Sequence, residues 1–202
     1  GKTTSTINLA IAFAQAGHKV ALIEGDLRKP RLAKYLGIDG SIGLTNVLAN
    51  QISLGDAFVS WNRGMLQVLA SGPVPSNPSE LLGSERMIQL VNHLRDEFDY
   101  VFIDGTPLLL VSDAAVVARI SDGALLMTHF GDTTHSQLRR ASEILRTVGA
   151  RPLGPIVNFV PQDSSSYGYG YGYGYGDNDA VPVDFSNVHM QSNRDLKQEN
   201  NE

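Results

Sequence analysis

The sequence predicts an α/β fold, with a mostly parallel sheet covered by helices on both faces. Three observations carry this. Short apolar runs alternate with segments of helical period through most of the chain. The runs are near-continuous rather than alternating, which suits strands buried on both faces. Acidic residues (Glu24, Asp26 and Asp104) follow directly on two of the runs, and sheets of this kind bind ligands at the carboxyl ends of their strands.

Residues 3–16 read as a helix. Ile7, Ala10, Ile11 and Ala14 share one face, and Gly17 is a natural stop. Residues 20–23 form a short apolar run before a charged cluster and read as a buried strand, with a second candidate at 66–69. Residues 84–98 are helical, with Met87, Leu90, Val91 and Leu94 inward, and residues 100–103 are a third strand. A helix at 112–118, a strand at 123–128 and a helix at 135–148 follow. The final strand reads as 156–158, its start weakened by Pro152 and Pro155.

Composition narrows the function. The chain has 202 residues, enough for one domain of common size and a tail. Its formal net charge of -5 offers no basic field for nucleic acid. With no cysteine, disulfides and thiolate metal sites are excluded, which fits a reducing compartment. No apolar run reaches the roughly 18 residues needed to span a bilayer. The richest stretch, 108–127, is broken by Asp113, Arg119 and Asp122. After Pro161 the composition turns to Ser, Gly, Asn, Asp and Gln. The chain therefore divides into a folded domain at 1–161 and a disordered tail at 162–202. The tail's regular feature is a set of tyrosines at every second position, Tyr167, Tyr169, Tyr171, Tyr173 and Tyr175, with glycine between them.

The sequence opens on Gly1-Lys2-Thr3 and runs straight into a helix. These are the last three positions of the phosphate loop G-x-x-x-x-G-K-[ST]. The motif's first glycine and preceding strand are expected upstream, in a longer parent protein. At such a helix start the N–H groups and dipole favour an anion. Lys2 would reach the β- and γ-phosphates and the Thr3 hydroxyl would bind Mg²⁺. Two strands ending in acids strengthen this reading. Residues 20–23 lead into Glu24-Gly25-Asp26-Leu27-Arg28, and 101–103 into Asp104-Gly105-Thr106-Pro107. A hydrophobic strand followed by Asp is the pattern whose carboxylate holds Mg²⁺ directly or through water.

These residues resemble the bacterial tyrosine kinase family, which is coupled to capsule and exopolysaccharide export. Glu24-x-Asp26-x-Arg28-Lys29-Pro30 resembles the family's D-x-D-x-R motif. Residues 71–82, SGPVPSNPSELL, resemble its G-x-x-P-x-N-P-x-E-L-L segment. Residues 103–107 with Asp113-Ala114 resemble its second acidic strand end. Two departures stand out: Glu24 replaces the usual first Asp, and Gly105-Thr106-Pro107 replaces T-P-P.

The resemblance implies an ATP-dependent protein-tyrosine kinase with Lys2, Glu24, Asp26 and Asp104 as catalytic residues. Nucleotide would be bound by Gly1, Lys2, Thr3, Thr4, Arg28 and Asn158, the last near the adenine. Mg²⁺ would be held by Thr3, Asp26 and Asp104. Glu24 would receive the tyrosine proton late in the reaction, since full transfer in the ground state would cost about 8 kcal/mol. The five tail tyrosines would be phosphoacceptors. Each phosphate adds about -1.5 to -2 charges, enough to disturb an assembly of copies. Implied partners are other copies, possible in a ring, a membrane-spanning activator domain in the same chain or a partner, and protein-tyrosine substrates. The expected location is the cytoplasmic face of the bacterial plasma membrane. Two alternatives compete: a partitioning or cell-division ATPase of the related deviant P-loop group, acting as a dimer switch, and a non-catalytic scaffold with an interacting Tyr/Gly tail.

Overall fold

The computed structural model describes residues 1–61 and 64–161. The tail expected at 162–202, its five tyrosines included, lies outside the described residues. The elements run α1 (Lys2–Gln15), β1 (Val20–Glu24), α2 (Leu32–Leu36), α3 (Leu44–Leu48), α4 (Leu54–Ala57), β2 (Val59–Trp61), β3 (Leu66–Leu69), α5 (Pro78–Leu82), α6 (Glu85–Glu97), β4 (Tyr100–Asp104), α7 (Asp113–Arg119), β5 (Ala124–His129), α8 (His135–Thr147) and β6 (Pro152–Asn158).

Each long helix starts and stops where its sequence says it should. Gly17 adopts φ 95° directly after α1, a conformation that favours glycine. Ser84 caps α6 by accepting from the Met87 N–H. Thr134 and Gln137 form a reciprocal capping box at α8. The short helices α2 to α5 span only four or five residues, too few to show a helical period, and the sequence reading passes over them.

The strands form two sheets, one of four strands ordered β2-β3-β1-β4 and one of two, β5-β6. β1 pairs in parallel with β3 and β4, and β5 with β6. β2 is the exception, an antiparallel edge strand on β3. No pairing joins β4 to β5 among the described residues. β6 starts at Pro152, four residues before its expected start. Among the described residues it pairs with β5 alone, so Pro152 and Pro155 sit on an edge there, where a missing N–H is tolerated.

β1 is the centre of the core. Ala21 and Ile23 face a cluster that includes Met87, Leu90, Val91 and Leu94 of α6. Val20 and Leu22 face the opposite cluster, with Ile7, Ala10 and Ala14 of α1. Two helices thus cover the two faces of one strand, and its carboxyl end is held at a fixed place. No helix among the described residues is long and apolar enough to cross a membrane.

Candidate active site

The site is built where α1 begins and where β1 and β4 end. Gly1 is the N-cap of α1 and makes no side-chain cap bond, and the first turn holds no acidic residue. Its N–H groups and dipole therefore favour an anion, with Lys2 adding a full positive charge. Asp104, the last residue of β4, is buried beside this helix start. Its Oδ2 accepts from Thr3 Oγ1 at 2.6 Å and its Oδ1 from Thr6 Oγ1 at 3.3 Å. Burial pushes the Asp104 carboxyl above the usual range, and the Thr3 bond and the Lys2 charge work against that rise.

Glu24 lies opposite Asp104 in the parallel register of β1 and β4. It is 1% exposed. Oε2 accepts from the N–H groups of Arg31 at 2.7 Å and Leu32 at 2.8 Å, and Oε1 from that of Asp26 at 3.1 Å. Burial raises its pKa, the Leu32 and Arg31 N–H groups lower it, and the neighbouring Asp104 raises it again. Between the two strand ends, Gly25 donates its N–H to the Asp104 carbonyl at 2.8 Å. A Cβ at position 25 would lie 2.9 Å from that oxygen, so the approach needs glycine.

Beyond Gly25 the chain rims an open cleft of about 340 Å³. One wall is residues 1–4, Gly1-Lys2-Thr3-Thr4. Asp26, Arg28, Lys29, Arg31 and Tyr35 supply the second wall, and Thr106 and Pro107 with two apolar residues the third. Asp26 Oδ1 accepts from the Lys29 N–H at 3.0 Å. Arg28 takes a bidentate grip on the buried Asp113 of α7, Nε to Oδ2 at 2.6 Å and Nη2 to Oδ1 at 3.1 Å. Nη2 also reaches Ser79 Oγ at 3.2 Å, and that hydroxyl donates to Asp113. The Arg28 guanidinium holds the Asp113 carboxyl below the usual range.

The structure therefore brings Gly1, Lys2, Thr3, Thr4, Asp26 and Arg28 to one cleft, with Asp104 directly behind Thr3. Glu24 lies beneath the loop rather than on the cleft wall. Asn158, at the end of β6, donates from Nδ2 to Ser5 Oγ at 3.0 Å, and a Cβ on Gly1 would fall 2.5 Å from the same nitrogen. It adjoins the helix start from the side of the second sheet. The sequence reading passed over Thr6 and Ser79. Thr6 is one turn on from Thr3 and so shares its face. Ser79 sits inside the 71–82 segment, which places Pro78 at the first turn of α5 with Asn77 as its cap.

The donors suit a hard divalent cation. The Thr3 hydroxyl and the Asp104 and Asp26 carboxylates are all oxygens, and Mg²⁺ takes one or two protein carboxylates while phosphates and water complete its shell.

Comparison with known proteins identifies the fold and the family. A profile of the AAA domain family matches residues 1–132. The tyrosine-protein kinase YwqD of Bacillus subtilis (strain 168) is 40% identical over 158 residues, 78% of this chain and 67% of that protein. The kinase domain of the Escherichia coli tyrosine kinase ETK superposes with a TM-score of 0.75 at 35% identity, covering 84% of this chain and 66% of that one. The septum site-determining protein MinD of Pyrococcus horikoshii OT3, complexed with Mg-ADP, gives a lower TM-score of 0.63 at 28% identity over 78% of this chain and 64% of that one. MinD shares the nucleotide-binding fold at a greater distance. The chain belongs to the bacterial tyrosine-protein kinases, enzymes built on a P-loop α/β fold.

Proposed function

We propose that the cleft takes Mg-ATP and that its γ-phosphoryl group goes to tyrosine hydroxyls, among them Tyr167, Tyr169, Tyr171, Tyr173 and Tyr175 of the tail. One observation carries the reading. The start of α1, with Lys2, meets the buried Asp104 through the 2.6 Å Thr3 bond, which joins a phosphate cradle to a metal-binding carboxylate. Phosphoryl transfer is mostly positioning and neutralisation of charge. Bound Mg²⁺ would neutralise phosphate charge, with Thr3, Asp26 and Asp104 as its holders. Lys2 and the first-turn N–H groups bind the phosphate oxygens. Asp104 accepts the Thr3 hydroxyl hydrogen, which would leave that oxygen's lone pairs for the metal, and Arg28, fixed by Asp113, places a positive charge at the rim. Asn158 lies where it could receive the nucleoside end, beside Gly1.

In the tail's sequence every second residue from Tyr167 to Tyr175 is a tyrosine and the residues between are glycine, which offers five acceptor hydroxyls with no bulky neighbour. The substrates are then other copies of the chain and further tyrosine proteins, in an assembly that charge accumulation loosens. A membrane-spanning activator, a place on the cytoplasmic face of the plasma membrane and control of capsular or exopolysaccharide export complete the reading; they rest on the family.

The test is incubation of the full-length protein with Mg-ATP, followed by an anti-phosphotyrosine blot. Labelling is expected in the unaltered chain. It should fall by about 10²-fold or more in Lys2→Ala, and the tail should lose its label when its five tyrosines are Phe. ATP hydrolysis without label would favour the cell-division type of ATPase. Label retained by a folded Lys2→Ala variant would overturn the site.

A further inference from the structure

The loop of residues 25–31 brings Asp26, Arg28, Lys29 and Arg31 to the cleft. It has no helix or strand of its own. Its shape therefore depends on bonds to its surroundings. At one end Gly25 continues the β1–β4 pairing. In the middle Arg28 is tied to Asp113. Leu27 is buried in the core cluster with Met87 and Leu90, Asp26 accepts from the Lys29 N–H within the loop, and a further tie comes from Glu24.

The Glu24 carboxylate touches both ends of the loop at once. It accepts from Asp26 just after the loop leaves β1, and from Arg31 and Leu32 where it enters α2. A carboxylate has two oxygens and about four lone-pair sites. Backbone N–H groups take three of them, and the side chain is closed off from solvent. A proton acceptor must come within about 2.6–3.2 Å of the hydroxyl it serves. Glu24 is not on the cleft wall, and Asp26 is.

The extra methylene of Glu24 now has a structural reason. Its bonds to Arg31 and Leu32 span seven and eight residues of chain. An aspartate would stop about one C–C bond, roughly 1.5 Å, short of them. The same bonds hold the first residue of α2, the helix that carries Tyr35 to the cleft.

We propose that Glu24 is a positioning residue: a clasp that closes the 25–31 loop through three backbone N–H groups and so sets Asp26, the carboxylate that meets the nucleotide and its acceptor. The Asp26 half rests on the kinase reading; the clasp does not.

The full-length Glu24→Gln, Glu24→Ala and Asp26→Asn variants separate the two roles. Tyrosine phosphorylation is measured at saturating Mg-ATP, and amide hydrogen exchange is followed through residues 25–32. Gln keeps an oxygen for the Arg31 and Leu32 N–H groups, gives up the bond from Asp26, and has no basicity. The expected result is a loss of less than about tenfold in Glu24→Gln, against about 10²-fold or more in Asp26→Asn. Exchange should rise by at least about tenfold in Glu24→Ala, with Gln restoring most of the protection. A loss of about 10²-fold or more in Glu24→Gln with unchanged exchange would make Glu24 the proton acceptor and overturn the proposal. Unchanged exchange in Glu24→Ala would overturn the clasp outright. If the unaltered chain labels no tyrosine, the kinase reading fails, and exchange alone still decides the clasp.

Discussion

β1 and β5 read alike in the sequence and differ in the fold. Val20 to Ile23 of β1 are 0% exposed, whereas Leu125 of β5 is 44% exposed and Leu153 and Val157 of β6 are 54% and 49%. Both regions are runs of apolar side chains. The difference lies in what surrounds them. β1 has a strand on each side and a helix cluster on each face. Among the described residues β5 has one partner strand, and the buried cluster beside it is small: Ala118, Leu145 and Ala150, with Ala124 and Leu126 packed against it. An apolar run marks a strand; how deeply the strand is buried depends on its neighbours. The proposed phosphate-binding end of the site stands on the well-packed sheet, with Glu24 and Asp104 at the ends of its strands. Asn158 stands on the other.

The largest expected consequence is for stability. Leu22→Ala removes side-chain volume between packed layers and should cost about 2–5 kcal/mol, a large part of a domain's usual 5–15 or so. Val157→Ala, half exposed, should change stability by less than about 0.5–1 kcal/mol. Chemical denaturation of both variants checks this. Similar losses would mean that the second sheet is covered as fully as the first, and the contrast would fail.

The same contrast explains what could be read from the sequence. The long helices and most strands were legible because period, caps and breakers agree, as at Ser84, Thr134 and Gly17. The acids after β1 and β4 were legible because strand ends gather chemistry. That Thr3 and Asp104 belong to one site was implied by motif order, whereas the bond between them was not read from the sequence. What was not legible depends on contacts far apart in sequence. The Arg28–Asp113–Ser79 group joins positions separated by as many as 85 residues. The burial of Glu24 was also hidden, since a carboxylate after a strand reads as facing the ligand. Its burial and its bonds from the N–H groups of Asp26, Arg31 and Leu32 reveal that it faces the protein.

Acid should act on the well-packed side through Asp113. Arg28 lowers the folded-state pKa of this carboxyl below its unfolded value of about 3.9. The pair's contribution is therefore fully present above that unfolded value. It is lost as pH falls through the depressed folded one. Arg28→Ala should be less stable than the unaltered chain at pH 7, by less than Leu22→Ala is. The gap should close as pH drops below about 4. Glu24 and Asp104, whose pKa values are raised, shift stability in the opposite sense in both chains, so the difference between chains isolates Asp113. Urea titrations of both proteins across pH 2–7, as a roughly chosen span, measure it. A gap independent of pH would show that the loop is tied by packing rather than by the ion pair.

The smallest expected effect concerns the link between the two sheets. Asn158 joins the end of β6 to α1 through a single neutral bond to Ser5. Such a bond contributes about 0.5–1.5 kcal/mol, so Asn158→Ala should lower stability by no more than that. Its value as a test lies in what happens to nucleotide. If Asn158 only joins the sheets, ATP affinity and the rate at saturating ATP should both stay near those of the unaltered chain. If it also receives the nucleoside end, affinity should fall by about tenfold, equivalent to about 1.4 kcal/mol, with the saturated rate unchanged. In the proposed site the transferred phosphate is held from the other side, by Lys2 and the first-turn N–H groups, and its hold does not depend on the Asn158–Ser5 bond. Equilibrium binding of ATP, paired with phosphorylation at saturating ATP, distinguishes the two cases. A fall in the saturated rate without a fall in affinity would fit neither. It would mean that Asn158 orders the start of α1 itself, and that the less buried sheet takes part in the chemistry rather than only in binding.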